Sequence, residues 1–395
     1  MKLTMAISVI LALGVGFWLG RATAPTPESE LSTLASFQRA LDDPDWLTRW
    51  YRFSGFLMHL DPDNLPEALE ALEPQLPWLV TDELRVFMLA WSRFDAPGAF
   101  AQAMSWPGQL SRNTGGAALY AWAFRDPTAA LEALDSVENP ETREFMEARL
   151  IAGWAHGEHR PSAFDYVASL PEGPRRFAYI GTLAWELAKD GPEAVIRWAE
   201  GVPDLSKRYK AGVFLKASST LASSDPAGAA RWLAGHLDQD YADGVLKVVA
   251  RSWAGRDAPA ALGWLTSLPA GERRDGTVSN AFSVWHELSP REAEHWLSAE
   301  TPAAPLDPAV RVVVTGVRRE SPRIAMNWAL ALHDPDMRRR VVVNVGRSWI
   351  RRDAPAAEGW LAQADLPADL EQAIRKARPD PGVEPLCAGE TDCGE

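Results

Sequence analysis

Cysteine is nearly absent from this chain: two residues in 395, Cys387 and Cys393, both in a tail that reads PDPGVEPLCAGETDCGE. That tail is too rich in proline, glycine and acid to pack. It offers too few ligands for a zinc site, which needs four. A small loop disulfide, favoured in an oxidising compartment, and a pair of free thiols both remain open for it. Histidine is scarce too, at seven. His156-Gly157-Glu158-His159 reads as a solvated turn, since no further ligand group is evident nearby in sequence. His286-Glu287 with His295 lacks the spacing of a zinc-protease helix, and Asp238 to Gly244 is one place out of register for an EF-hand loop. There is no GxSxG, no Walker loop, no CxxC, and no GxGxxG followed by a strand. No catalytic constellation stands out, so the sequence points to a protein that is not an enzyme and needs no cofactor or metal. Basic charge is not in excess either: 40 Lys and Arg face 53 Asp and Glu, a net charge of −13. Phosphate backbones are held by clustered bases, so non-specific nucleic-acid binding is not expected.

Charge is missing altogether from Leu3 to Leu19, where Thr4 and Ser8 are the polar residues. Seventeen residues is the lower limit for a membrane-spanning helix. The run is expected to be an uncleaved anchor. The alternative is a signal peptide with Lys2 as its basic end and Ala22-Thr23-Ala24 as the cleavage site, which Pro25 disfavours. No cysteine follows the run, so a lipoprotein is not supported. Gly16 and Gly20 form a GxxxG pair of the kind that brings membrane helices together, though such pairs also arise by chance. Lys2 favours a cytoplasmic N-terminus and Arg21 opposes it. The expectation is a single-pass inner-membrane protein whose remaining residues face the periplasm; the alternative is secretion to the periplasm after cleavage.

What the chain has in abundance is periodicity. Prolines 66, 97, 127, 161, 192, 226, 259, 290, 322 and 355 are each followed two or three positions later by alanine. Their spacing is close to constant, the shortest step running from 97 to 127 and the longest from 127 to 161 and from 192 to 226. Such a period means stacked helical hairpins, because one hairpin cannot bury its apolar face alone. RSWAGRDAPAALGWL at 251–265 recurs three periods later as RSWIRRDAPAAEGWL at 347–361. Each unit reads as helix A, a tight turn, then helix B. Asp126-Pro127, Asp225-Pro226 and Asp257-Ala258-Pro259 are helix starts: aspartate accepts from the free amides, and proline costs nothing in the first turn. In helix B, Ala261, Trp264, Leu265 and Leu268 share one face. A second proline closes helix B, as at Pro171, Pro203, Pro269 and Pro367.

Eighteen tryptophans are far above the ordinary, and seven recur near the end of helix A: Trp91, Trp122, Trp154, Trp185, Trp253, Trp285 and Trp349. They fall on the alanine and leucine face, so they are expected in the core rather than on a sugar-stacking platform. Trp253→Ala is expected to cost about 3–5 kcal/mol if that side chain is buried.

In period and helical pairing, residues 50 to 377 resemble the tetratricopeptide and Sel1-like class of α-solenoids. The chain departs from the tetratricopeptide pattern of Trp, Leu-Gly and Tyr in the first helix. It carries W-x(3)-D-(x)-P-x-A-A-x(2)-W-L instead. The resemblance implies a concave surface that holds proteins or peptides, and carries over no binding residue. The expected fold is all-α: a right-handed α-solenoid of helix-turn-helix repeats, preceded by one apolar N-terminal helix. The proline steps give it about ten repeats, each roughly 30–34 residues long. Its expected divisions are anchor or signal peptide 1–21, linker 22–30, helical cap 31–60, repeats 61–377 and an acidic disordered tail 378–395.

Charge is unevenly spread along this array. Residues 28–83 hold twelve acids and three arginines, a balance of −9; residues 311–352 hold ten arginines and three acids, a balance of +7. Arg340, Arg347 and Arg351 stand at i, i+7 and i+11, on one side of a helix, and Arg311 and Arg318 form a similar pair one repeat earlier. A solvated face tied to neighbouring acids explains them; so does docking of an acidic protein segment, polymer or lipid headgroup. The five arginines are the candidate partner-binding residues of a membrane-tethered scaffold for protein–protein interaction. The alternative function is binding or hydrolysis of a cell-envelope glycan by a carboxylate pair that the sequence does not locate.

Overall fold

A computed structural model of the chain describes residues 31–376, apart from 77–78, 80, 204–205 and 300–302. The apolar run Leu3–Leu19, the linker, and the tail with Cys387 and Cys393 lie outside the described residues. Among those described there are 22 α-helices, three short 3-10 helices and no strand. No helix among them is long and apolar enough to cross a membrane.

The helices alternate as the proline spacing predicts. All ten periodic prolines are the first or second residue of a helix, from Pro66 in Leu65–Leu72 to Pro355 in Ala354–Leu361. At five of these starts the preceding aspartate caps the helix through its side chain. Asp95, Asp126, Asp225, Asp257 and Asp353 each accept from the backbone N–H three positions on, at 2.9–3.0 Å. Their backbones share one conformation, with φ between −132° and −152° and ψ between 76° and 87°. An aspartate and a proline thus make the same A-to-B corner repeatedly.

The chain divides into two compact units, residues 1–163 and 164–395. In the first, Leu34–Leu41 packs on Trp46–Met58 and Leu65–Leu72. Phe37, Phe53, Phe56 and Phe87, all fully buried, form its aromatic core. The A helices Thr81–Trp91, Gly108–Arg125 and Pro140–His156 follow, each packed on the next and on the B helix between them. The last two touch backbone to backbone. A Cβ on Gly153 would overlap the Tyr120 carbonyl oxygen, and one on Gly157 that of Phe124. Only glycine permits that approach.

In the second unit the A helices are Pro174–Ala188, Lys207–Ser224, Ala242–Ala254, Glu272–Leu288, Asp307–Val317 and Pro335–Arg352. Each B helix lies against its own A helix and the A helix that follows. The buried Asp307 carboxylate accepts from the backbone N–H groups of His333 and Asp334 at 2.9–3.1 Å, fixing the B-to-A corner before Pro335–Arg352. Ala368–Arg375 closes the unit against that helix.

Tryptophans at the end of helix A and eleven positions later in helix B meet as tilted pairs: Trp253 with Trp264, Trp285 with Trp296, and Trp349 with Trp360, at 5.5–5.8 Å between ring centres. Trp91, Trp154, Trp285 and Trp349 are buried, and Trp122 and Trp253 half-buried. Trp185 is a correction to the expected core stripe, because it is 61% exposed. It stands seven positions before Pro192, whereas Trp122 and Trp285 stand five before theirs and Trp253 and Trp349 six. Two residues turn a helix by about 200°, so the inward position passes to the buried Leu187. The corner there is made by Gly191 at φ 102° in place of an aspartate cap. Trp154 also stands seven before its proline, yet its indole N–H reaches the His159 carbonyl at 3.2 Å and Ser162 Oγ at 3.0 Å, and the ring stays buried.

These burials set the mutational cost. Trp349→Ala should destabilise by about 3–5 kcal/mol, Trp185→Ala by no more than about 0.5 kcal/mol, and the half-buried Trp253→Ala by an intermediate amount. Urea unfolding of the three variants measures the order.

Candidate functional site

Arginines near the ends of A helices do a structural job first. Arg125 donates to the Arg93 carbonyl at 2.6 Å, Arg256 to those of Ser223 and Ser224, and Arg352 to that of Arg318 at 3.3 Å. Arg93 reaches the Leu57 carbonyl in the same way. Each acceptor lies at the C-terminal end of the preceding A helix, one repeat back, where carbonyls have no partner within the helix. A cation there also suits the negative end of the helix dipole.

The five arginines singled out from sequence divide against this background. Arg311, Arg318, Arg340 and Arg351 are exposed, and no side-chain partner engages them among the described residues. Arg311 lines a cleft of about 370 Å³ with His286 and Glu287, between helices Glu272–Leu288 and Asp307–Val317. Arg347 belongs to the fold: it is half-buried, and its Nε donates to the Ala373 carbonyl at 2.9 Å, holding the closing helix. Among the neighbouring bases, Arg339 pairs with Asp369 and Arg338 donates to the Leu332 carbonyl at 3.1 Å.

One concavity is absent from the sequence reading. A groove of about 560 Å³ crosses the N-terminal halves of three successive A helices, Pro174–Ala188, Lys207–Ser224 and Ala242–Ala254. Phe177, Ile180, Tyr209 and Leu215 line it with apolar surface. Phe177 is 38% exposed, with the Lys216 ammonium 4.1 Å from its ring centre. At the rim, Glu172 accepts from Arg208 at 2.8 Å and lies 3.4 Å from Arg176, whose guanidinium sits over the Tyr209 ring. The hydrogen bond from Arg208 holds the Glu172 carboxyl below its usual range and raises Arg208 in return. Burial pushes the Tyr209 phenol up. Beneath, Phe214 stacks on Trp232 and Tyr241 at 5.3 and 4.3 Å, a brace behind the lining.

Glycine opens the groove. A Cβ on Gly212 would stand 3.4 Å from Ile180, and one on Gly244 3.8 Å from Leu215, so larger side chains would occupy the space. Gly181, Gly212, Gly244 and Gly276 recur once per repeat, and this column was the signal available in the sequence.

The polar clusters weighed for metal binding are engaged within the fold. His156 lies against the rings of Tyr120 and Phe124, His286 bonds Glu294 at 2.9 Å, and Asp240 pairs with Lys207 at 3.2 Å. Asp243 pairs with Arg273. Among the described residues no group of three or more His, Cys, Asp or Glu is arranged to hold a metal ion. Searches against family models, curated proteins and solved structures return no match to this sequence.

The arginines make a direct test. Arg347→Ala should lower stability by about 1–2 kcal/mol through loss of a charge-assisted hydrogen bond. Arg340→Ala and Arg351→Ala should stay within about 0.5 kcal/mol of the parent. Paired thermal melts of the single variants check this.

Proposed function

We propose that the protein is an α-solenoid scaffold, tethered to a membrane by the run Leu3–Leu19, whose A-helix face holds an extended acidic segment of a partner protein. The observation that carries this reading is the groove over three successive repeats. It combines an exposed aromatic, apolar lining of side-chain depth and paired arginines at the rim. An apolar or aromatic residue of the segment seats against Phe177 and Tyr209, and its flanking carboxylates compete with Glu172 for Arg208 and Arg176. The exposed Arg311, Arg318, Arg340 and Arg351, on later A helices of the same unit, extend the attraction for acid along the chain.

Panning a random-peptide display library against the full chain tests the proposal. Enriched peptides should carry an aromatic or large aliphatic residue flanked by Asp or Glu, and should bind less tightly as salt rises. Phe177→Ala and Arg208→Glu should each weaken them at least about tenfold, the loss of roughly 1.4 kcal/mol. Gly244→Leu, which removes no packed atom, should block them by filling the groove. Enrichment of peptides without acids, or equal binding by all three variants, overturns this reading.

A further inference from the structure

The helix Trp46–Met58 differs from every long helix that follows it. Its exposed residues are Trp46, Leu47, Tyr51 and Met58, at 57%, 71%, 45% and 71%. None is charged, whereas each later A helix exposes at least one charged side chain. The two bases of this helix are drawn away and neutralised. Arg49 is bidentate to the buried Glu83 at 2.5 and 2.9 Å, and Arg52 pairs with Asp43 at 2.6 Å. Leu47, Tyr51, Gly55 and Met58 stand at i, i+4, i+8 and i+11, a single stripe along the helix. Trp46 flanks it, stacked on Trp50 at 5.9 Å between ring centres.

The same stripe is where the chain arrives from residues 1–30. Leu31 seats over Gly55, with its Cβ 3.1 Å from where a Cβ on that glycine would stand. From Gly20 to Glu30 there are eleven residues, so the stripe stays within at most about 40 Å of the end of the uncharged run. Trp and Tyr carry an apolar body and a polar edge, the combination that settles at a bilayer's headgroup level. Leu and Met add apolar area to the same side.

We propose that the face formed by Trp46, Leu47, Tyr51 and Met58 is a second membrane contact, lying in the headgroup region of the bilayer that receives Leu3–Leu19. It rests on the tether part of the proposed function and is independent of the groove. No exposed base lies on the helix, and Asp42 and Asp45 are exposed beside it, so it recognises the bilayer interface itself rather than anionic lipid. The two contacts together hold the first unit against the membrane at two points instead of one.

The test uses the full chain with Cys387→Ser and Cys393→Ser, an environment-sensitive fluorophore on Leu47→Cys, and phosphatidylcholine vesicles. A control chain carries the label on Gln109→Cys, an exposed position of a later helix. The protein should co-float with the vesicles. The Leu47 label should shift to the blue and lose intensity when headgroup spin-labelled lipid is added, while the control label does neither. Adding anionic phosphatidylglycerol should not strengthen the effect, and Met58→Glu should reduce it. Co-flotation with an unresponsive Leu47 label overturns the contact and leaves the tether standing. Absence of co-flotation overturns the tether and the contact with it. A blue shift that grows with protein density and is not quenched by spin-labelled lipid assigns the face to a second copy of the chain and rejects the proposal.

Discussion

The carbonyl end of each long helix is the weak point that this architecture has to satisfy. A helix leaves its last carbonyls without partners, and a helical hairpin has no strand or sheet nearby to supply donors. At four of these ends the donor comes from the next repeat, as an arginine reaching back over a full period. Trp-x-x-Arg-Asp, at Trp122, Trp253 and Trp349, places three tasks in one short segment. At Trp253 and Trp349 the tryptophan packs between the helices of its own hairpin; at all three the arginine joins the hairpin to the one before and the aspartate starts the second helix. Apolar packing along the hairpin is forgiving about its offset. A guanidinium on a particular carbonyl is directional, so where it occurs it sets the offset at which one hairpin meets its predecessor.

The exposed side of the A helices is then released from packing duties, and its composition follows other rules. Glycines at 212 and 244 leave space that larger side chains would occupy, and Phe177 stays in solvent contact. Exposed aromatics and unfilled clefts cost stability and are tolerated where a surface has a use. At the other extreme, Gly153 and Gly157 bring two helices into backbone contact and leave no space at all. The same residue type thus serves opposite ends, according to whether a neighbouring backbone stands over it.

Much of this was legible in the sequence because proline and aspartate act locally. A proline in the first turn and an aspartate just before it need only their own helix, so their spacing announced ten starts and several caps. Trp185 misled because a repeat alignment assumes a constant corner. The longer approach to Pro192 rotates it into solvent, whereas Trp154 is held in place by its bond to Ser162. Arg347 shows a different limit. Helical periodicity puts it on a face with Arg340 and Arg351, but the acceptor that engages it belongs to the closing helix beyond the last hairpin. The groove was hidden because it is made of what is missing. A column of glycines is visible in the sequence, yet that it borders Phe177 and Tyr209 depends on how adjacent A helices pack. The apolar stripe of Trp46–Met58 looks like core in sequence, and becomes surface because no earlier A helix among the described residues lies over it.

The Asp–Pro corner has a bearing on how such a chain can change over generations. Five corners share one backbone conformation, and each depends on residues within a few positions of itself. A genetic duplication that copies one whole period therefore copies a corner, a bridge and a core pair together, in phase, and creates no junction the chain does not already use. The near-identical segments at 251–265 and 347–361, three units apart, are interchangeable in this sense. Length is then the easiest property to alter, while the groove and the apolar stripe are confined to particular units.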